Sequence, residues 1–354
     1  RQMCIRDSVI ESEKTMLQLL LGGSGSGKTT LLYQRIRARA EKGEKSILLV
    51  PEQFTSSTEG RIYRELGDAL SGMVESFSFT SLAEKILSTE GGAAVQTLSD
   101  AGRAVLVRRA LEELQDNVHY YHRHRRSAAF CQMAAQTIDE LKSAGLSGQQ
   151  LAQLAGACGA ESGKLSELAL IFQGYETLLA RSGMDPSDRL ELAGARLEEA
   201  LARHSLPEFL RDRAVFIDEF DTFNAPKKRL LGALLEALPS VTVALCDDGA
   251  PLLPGDLSLF SGAKQVAAQL RQLARKNGAE VAVPQLLRKD LRHRNAPGLA
   301  AVAELLETGS CTADAPADEV RLFAAPSREE EARAAAGAIR RPMRQGVRCG
   351  QIAV

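Results

Sequence analysis

Apolar residues follow two kinds of pattern along the chain. Short, predominantly apolar runs stand at 16–21, 46–51, 73–79, 214–218 and 241–246. Runs of this length and composition are typical of strands buried on both faces of a parallel sheet. Apolar residues at helical spacing lie between these runs, most clearly over 28–42 and 227–238. The alternation predicts an α/β fold, in which a parallel sheet carries helices on both faces.

A long segment without strand signals interrupts the alternation. Between about residues 91 and 207, Leu, Ala and charged residues recur at helical spacing, with glycine-rich breaks. We interpret 91–207 as a helical insertion in an α/β domain formed by 9–90 and 208–312. Further helices are predicted around 263–277 and 296–306.

The two ends of the chain have different patterns. Residues 1–8 lack an initiator Met and show neither a helical nor a strand-like spacing of apolar residues. We therefore interpret them as a non-native or disordered leader. Residues 314–318 resemble a linker. A strand at 320–323, a charged helix at 328–341 and a strand beginning at 351 are predicted after it. We expect 318–354 to be the start of a second α/β domain that is cut short, which makes the chain a fragment.

Composition narrows the class of protein. Of 354 residues, 44% are hydrophobic and 25% charged, as in folded globular proteins. The 44 Lys and Arg balance 45 Asp and Glu, so any contact with nucleic acid must be local. The six cysteines are widely separated, which argues against zinc sites and disulfide frameworks. No apolar stretch approaches the roughly 18 residues of a bilayer span, and no signal peptide opens the chain. We expect a cytoplasmic protein with no membrane contact.

A glycine-rich loop carries the strongest chemical signal. The segment Gly22-Gly-Ser-Gly-Ser-Gly-Lys28-Thr29 matches GxxxxGK[ST] in full, between a predicted strand and a predicted helix. In such a loop the backbone N–H groups face an anion, and the helix adds the positive end of its dipole. The lysine contacts the β- and γ-phosphates, and the following hydroxyl takes a magnesium position.

The loop predicts ATP and Mg2+ as ligands of a P-loop NTPase domain. Lys28 is expected to be catalytic, and Thr29 to be a magnesium ligand. The predicted nucleotide-binding residues are Gly22, Gly23, Ser24, Gly25, Ser26, Gly27, Lys28, Thr29 and Thr30.

A P-loop also needs an acid on a neighbouring strand. Val215-Phe-Ile-Asp218-Glu219 places two acids at the carboxyl end of a predicted strand, where open α/β sheets bind their ligands. We expect Asp218 to hold Mg2+ through its water shell, and Glu219 to orient or deprotonate the attacking water. About 190 residues separate Gly27 from Asp218, more than one RecA-like core requires, which again indicates an insertion.

These motifs, with the segments around them, resemble the AddB (RexB) subunits of AddAB helicase-nucleases, within the UvrD- and RecB-type superfamily 1 helicases. Residues 21–30 match motif I, and Ile47-Leu-Leu-Val-Pro-Glu-Gln53 is similar to the AddB segment at motif Ia. Segment 76–83 resembles the family's next conserved stretch, and 216–220 with Phe223 its motif II region. Residues 320–323, 329–332 and 352–354 are similar to the opening of the second RecA-like domain.

The resemblance implies a subunit of a two-chain machine that processes double-strand DNA ends for recombinational repair. It implies an AddA-type helicase-nuclease subunit as partner in a heterodimer, and contacts with double-strand DNA ends and single-stranded DNA. It further implies a RecA-like domain 1A, a 1B-like insertion, and a C-terminal nuclease with a 4Fe-4S cluster. That cluster would be bound outside this chain, which offers no matching cysteines.

One departure from the sequence pattern of active UvrD-like motors leaves other functions open. UvrD-like motors carry Gly-Asp-Asp-x-Gln after motif II, whereas here Leu245-Cys-Asp-Asp-Gly-Ala-Pro251 has no glutamine. ATP hydrolysis by this chain is therefore left open. The alternatives are a self-sufficient UvrD-like DNA translocase and a non-hydrolysing DNA-end scaffold. A run of His, Tyr and Arg at 119–126 predicts either a solvated helix end or a single-strand contact.

Overall fold

The computed structural model describes residues 15–311 and 319–354. The chain divides into two compact units, Arg1–Lys289 and Asp290–Val354. The leader expected at 1–8 and the linker expected at 314–318 lie outside the described residues. No described helix is both long enough and apolar enough to cross a lipid bilayer.

The first unit is built on a parallel sheet. Its strands are β1 (Met16–Gly22), β2 (Ser46–Leu49), β3 (Val74–Phe77), β4 (Ala214–Ile217), β5 (Ser240–Cys246), β6 (Glu280–Val281) and β7 (Gln285–Leu287). Their order is β3-β2-β4-β5-β1-β6, and β7 also pairs with β1. Every strand pairing is parallel. The predicted α/β fold with a parallel sheet is confirmed, and all strands end at one edge.

Alternate residues of the central strands fill two cores. In β1, Leu17, Leu19 and Leu21 face one side of the sheet, whereas Leu20 faces the other. The same alternation holds in β2, β4 and β5. Both faces are buried, and this accounts for the continuous apolar runs in the sequence.

Helices cover both faces of the sheet. The α-helices in the described part of the first unit are α1 (Lys28–Ala40), α2 (Thr55–Leu66), α3 (Asp68–Ser71), α4 (Phe79–Glu90), α5 (Asp100–Glu113), α6 (Ala128–Ser143), α7 (Gly148–Ala155), α8 (Ser162–Ser182), α9 (Pro186–Ala202), α10 (Ala225–Ala237) and α11 (Ser261–Lys276). Helices α1 and α2 pack on one face. Helices α4, α9, α10 and α11 pack on the other. The sheet is therefore the middle layer of three.

Apart from one isolated bridge between Thr97 and Met184, the regular secondary structure within residues 91–207 is helical. Helices α5, α6, α7 and α8 share a core of their own, centred on Phe172 and Tyr175. Helix α9 differs, because its Leu190 and Leu197 belong to the core of the sheet. The last helix of this segment thus packs with the α/β layers.

The second unit contains α12 (Pro297–Thr308) and α13 (Arg328–Arg344). Strands were predicted at 320–323 and from 351, and this prediction is wrong for the described residues. A strand exists only where a neighbour supplies its hydrogen bonds, and neither segment has such a neighbour in the part of the unit that the structure describes. Gly298 is the one described residue of this unit that is buried.

Candidate nucleotide-binding site

The glycine-rich loop joins the end of β1 to the first turn of α1. Gly25 and Gly27 have φ values of 80° and 89°, in the left-handed region that favours glycine. Gly22 is constrained by close approach, because a Cβ there would lie 2.6 Å from the carbonyl oxygen of Leu287 and 2.4 Å from Ser26 Oγ. The glycines at these three positions are therefore required by the backbone itself.

Lys28 curls back over this loop. Its Nζ donates hydrogen bonds to the carbonyl oxygens of Gly22 and Gly23, each at 2.8 Å. The loop thus holds a cation at the N-terminus of a 13-residue helix, which is where proteins bind phosphate. Ser26 Oγ is buried beside it without a hydrogen-bond partner among the described residues. A loop cation and an unpartnered hydroxyl fit an anionic ligand that completes the site.

The acid predicted to face this loop lies next to it. Asp218 follows β4 and is 6% exposed, and its backbone N–H donates to the Leu49 carbonyl oxygen at 3.1 Å. Its carboxylate accepts hydrogen bonds from the Thr29 hydroxyl and, at 3.0 Å, from the Glu219 backbone N–H. Burial raises the pKa of Asp218, and the Thr29 hydroxyl opposes that rise. The fold thereby brings together two residues that are almost 190 positions apart in the sequence.

The strand arrangement differs from the expectation in one respect. Asp218 was expected on a strand neighbouring the loop strand, but β5 lies between β1 and β4 and pairs with both. Neighbouring strands are about 4.8 Å apart, so β1 and β4 are separated by about 10 Å. The loop and the first turn of α1 span this distance and bring Thr29 to Asp218.

Glu219 has an unusual backbone. Its φ is 63°, in the left-handed region that a residue with a side chain rarely adopts. Its side chain is exposed to solvent, unlike that of Asp218. The Glu219 charge also raises the pKa of Asp218. Backbone strain of this kind is commonly found at functional sites.

Three residues at the site were not predicted from the sequence as members of it. Asp247 ends up beside the loop because β5 pairs with β1, and its backbone N–H donates to the Gly22 carbonyl oxygen at 3.3 Å. Tyr33 lies one turn after Thr29 on α1. The Arg61 guanidinium of α2 lies 4.9 Å from the centre of the Tyr33 ring, and its charge lowers the pKa of Asp218.

The oxygen atoms at Thr29 and Asp218 fit a hard cation such as Mg2+. Among residues 15–311 and 319–354, no group of three or more His, Cys, Asp or Glu side chains could hold a metal ion. The protein would supply two ligand groups here. Magnesium sites of this kind take their other ligands from phosphate and water. The donor set therefore suits a cation that arrives with a nucleotide.

A second pocket opens at the same edge of the sheet. Its volume is about 200 Å3, and its lining includes Gln53, Ser78, Thr80 and Lys227. The Lys227 ammonium lies 5.7 Å from the centre of the Phe79 ring and 5.5 Å from that of Phe220. Three segments that carried the family resemblance meet here, since β2, β3 and β4 are adjacent.

Comparison with known proteins agrees with this resemblance. The family model described as "ADDB, N-terminal" matches residues 19–303. The B-type subunit of the ATP-dependent helicase/deoxyribonuclease of Desulforudis audaxviator is 34% identical over 93% of this chain and 29% of its own length. The proteins of the same name from Symbiobacterium thermophilum and Geobacillus kaustophilus are 32% and 31% identical, each over 96% of this chain and 30% of their own length.

These matches show which family the chain belongs to and how much of the relatives' length it covers. The chain spans less than a third of the length of these relatives. The matched region includes the end of the glycine loop strand, the loop itself and both acids after β4. With the family model covering most of the chain, the protein belongs to the AddB family, and its sequence corresponds to the N-terminal part of that family's proteins.

Proposed function

We propose that this chain is the ATP- and DNA-binding, helicase-like portion of an AddB-type subunit, in an ATP-dependent helicase/exonuclease that processes double-strand DNA breaks. The observation that carries the proposal is the contact between Thr29 and Asp218 beside the loop that encloses Lys28. At this point the phosphates of a bound nucleotide, the Thr29 hydroxyl and the Asp218 carboxylate would surround one magnesium ion. A P-loop NTPase domain of RecA-like type is part of the proposal.

Each residue has a distinct role in this proposal. The loop N–H groups and Lys28 neutralise the β- and γ-phosphates, and Thr29 and Asp218 hold Mg2+. Glu219 is exposed at the end of β4, where it can orient or deprotonate a water molecule. Bound Mg-ATP supplies the transferable phosphoryl group. The raised pKa of Asp218 means that its negative charge is poorly stabilised by the protein alone. A bound cation would stabilise that charge.

Nucleotide binding is tested by Lys28→Ala, with Lys42→Ala as the matched control. Lys42 lies beyond the other end of α1 and is exposed. Loss of one charge-assisted hydrogen bond costs about 1.5–3 kcal/mol, so affinity for a fluorescent ATP analogue should fall about ten- to a hundredfold. The control should bind as the wild type does. Equal affinity in all three proteins would contradict the site assignment.

A measurement of ATP hydrolysis distinguishes the proposed function from the two alternatives, a self-sufficient translocase and a DNA-end scaffold. The segment after β5 lacks the glutamine of active motors, and Asp247 and Asp248 instead accept hydrogen bonds from the backbone N–H groups of Gly249 and Ala250. We expect the purified chain to bind ATP without DNA-stimulated turnover. Turnover abolished by Lys28→Ala would favour a self-sufficient translocase. DNA binding without any ATP binding would favour a DNA-end scaffold.

The wider assembly is also proposed. We infer an AddA-type helicase-nuclease subunit as partner in a heterodimer, because the relatives are named as the B-type subunit of a helicase/deoxyribonuclease. The ligands are double-strand DNA ends and single-stranded DNA. Residues 9–90 and 208–312 would form domain 1A, 91–207 a 1B-like insertion, and 318–354 the start of a second RecA-like domain. A nuclease domain and its 4Fe-4S cluster would lie outside this chain.

The pocket at Lys227 supports the DNA part of the proposal. It combines the Lys227 ammonium group and the Glu52 carboxylate with amide and hydroxyl side chains at the carboxyl edge of the sheet. Burial lowers the pKa of Lys227, and Glu52 opposes this. We expect short single strands to bind the chain with an affinity that falls steeply as salt rises. An affinity independent of salt would remove this part of the proposal.

A further inference from the structure

A basic loop, residues 119–126, joins α5 to α6 in the helical region. It reads His-Tyr-Tyr-His-Arg-His-Arg-Arg. No acidic residue occurs anywhere between Asn117 and Ile138. With neutral histidines the loop carries three positive charges from its arginines, in a chain whose net charge is -1. The positive charge is therefore local.

A buried glutamate on α8 holds the backbone of the basic loop in place. Glu167 on α8 is 6% exposed, and its carboxylate accepts hydrogen bonds from three consecutive backbone N–H groups. The donors are His119 at 2.7 Å, Tyr120 at 2.9 Å and Tyr121 at 3.3 Å. The one carboxylate buried beneath the loop thus binds its backbone and not its arginines.

Two contacts with the Phe130 ring also hold the basic loop in place. The Tyr121 ring stacks on the Phe130 ring at 5.3 Å between centres, with 29° between their planes. The His124 ring lies 5.7 Å from the same phenylalanine. The loop is therefore preorganised, and a ligand would not have to order its backbone on binding.

The arginines of the basic loop are not neutralised. Arg123, Arg125 and Arg126 form no ion pair within the described residues, and Arg125 contacts the His122 ring instead. Other arginines of the helical region behave differently. Arg108, Arg109 and Arg196 each pair with a glutamate on their own helix, at 3.1, 3.1 and 2.8 Å.

We propose that the basic loop binds the phosphate backbone of DNA, an inference that rests on the DNA-binding part of the proposed function. Guanidinium groups match phosphate oxygens in shape and charge, and their binding releases the counterions of DNA. Tyr120 is 58% exposed beside these arginines, which gives a single strand a ring on which a base can stack. The loop has no apolar helical face to insert into a membrane.

The test compares two triple variants of the whole chain. One is Arg123→Ala, Arg125→Ala and Arg126→Ala; the control is Arg108→Ala, Arg109→Ala and Arg196→Ala, which removes the same charge from paired positions. Fluorescence anisotropy would measure binding of a labelled single strand and of a labelled duplex over a salt series. The loop variant should lose about tenfold or more in affinity near 0.1 M salt, and its salt slope should fall by about 2 to 3.

The control should keep the affinity and salt slope of the wild type. The loop variant should lose affinity for both the single strand and the duplex, because the arginines contact the phosphate backbone that the two share. Melting curves of both variants would show that the fold is kept. Glu167→Gln should give a smaller loss, because the loop backbone would be less firmly held.

Three results would overturn the inference. In the first, the loop variant binds DNA as the wild type does. In the second, both triple variants lose affinity equally, which would mean that total charge alone is responsible. In the third, the loop variant loses binding to phosphatidylglycerol vesicles but not to DNA. A wild type that binds no DNA would remove the DNA part of the proposed function as well, while the Lys28→Ala experiment still tests the nucleotide site separately.

Discussion

Asp218 shows how a residue of the candidate site can lower the stability of the fold. It is 6% exposed, and the charge of Glu219 next to it is of the same sign. Burial is the main reason that its pKa is raised, so the folded state binds a proton at this carboxylate more tightly than the unfolded state does. Stability from this group therefore increases as pH falls through the raised pKa, down to the ordinary value near 4. At neutral pH the ionised group opposes folding.

We predict that Asp218→Asn raises the melting temperature at pH 7 in the absence of nucleotide. Asparagine keeps an oxygen acceptor for Thr29 and Glu219 but removes the buried charge. Each kcal/mol gained is worth roughly 2–4 °C in a domain of 150–250 residues. The stabilisation that Mg-ATP gives the wild type under the proposed function should disappear in the variant, because the carboxylate proposed to hold Mg2+ is lost.

The control is Asp221→Asn, since Asp221 is exposed three residues further along. It should change neither the melting temperature nor the response to Mg-ATP. Between pH 7 and about 4, the melting temperature of Asp218→Asn should vary less than that of the wild type. A lower melting temperature for Asp218→Asn at pH 7 would show that the charge is well compensated.

Single residues differ in how far the sequence could predict them. The glycine loop, Thr29 and Asp218 were predicted because a local pattern encodes each of them. Arg61 had no such signal, since an arginine on an exposed helix is common and its position over Tyr33 depends on how α2 packs beside α1. Asp247 was noticed only as part of a motif, and its contact with Gly22 follows from the pairing of β5 with β1.

At the scale of elements, a buried polar network joins three helices of the helical region. The Lys142 ammonium of α6 contacts Asp185 at 2.8 Å and Asp188 at 2.7 Å at the start of α9. The Tyr175 hydroxyl of α8 donates to Asp185 at 2.6 Å. Asp185 is 1% exposed. Its charge has been removed from water, and the Lys142 ammonium and the Tyr175 hydroxyl are two of the groups that stabilise it.

We predict that Lys142→Ala destabilises the protein by about 3–5 kcal/mol, because it leaves a buried carboxylate without its cation. Urea unfolding followed by circular dichroism measures the change. Arg108→Ala is the control, since its pair with Glu112 is about half exposed and such helix pairs contribute about 0.3–0.5 kcal/mol. A loss below about 1 kcal/mol for Lys142→Ala would mean that water enters the network and replaces the ammonium group.

The elements also show where sequence patterns stop being informative. The five short apolar runs became β1 to β5, and the four that lie inside the sheet are apolar because both of their faces are buried. Strand β3 lies at the edge of the sheet, and its run includes Glu75 and Ser76. Strands β6 and β7 are two and three residues long and too short to carry a pattern, and they form because β1 offers them an edge. The run predicted to continue to residue 79 ends at Phe77, since Ser78 caps α4 and turns the chain.

At the scale of the molecule, the buried apolar side chains belong to the first of the two units. All three clusters of such side chains are formed by residues between Leu17 and Leu286. In the second unit, the apolar side chains of α12, such as Leu305 and Leu306, are 48% and 69% exposed. The hydrophobic free energy of folding therefore comes from the first unit.

A chain that ends at Lys289 tests this division. We predict that it melts within about 2 °C of the 354-residue chain and binds the ATP analogue with the same affinity, because it keeps every buried apolar cluster of the described residues and the whole candidate nucleotide site. Its far-UV circular dichroism should lose only the signal of α12 and α13. The Lys142→Ala variant of the shortened chain should lose the same 3–5 kcal/mol as in the longer chain, since distant sites contribute independently. A shortened chain that fails to fold, or that binds nucleotide more weakly, would show that residues 290–354 stabilise the first unit, and the division of the molecule would have to be redrawn.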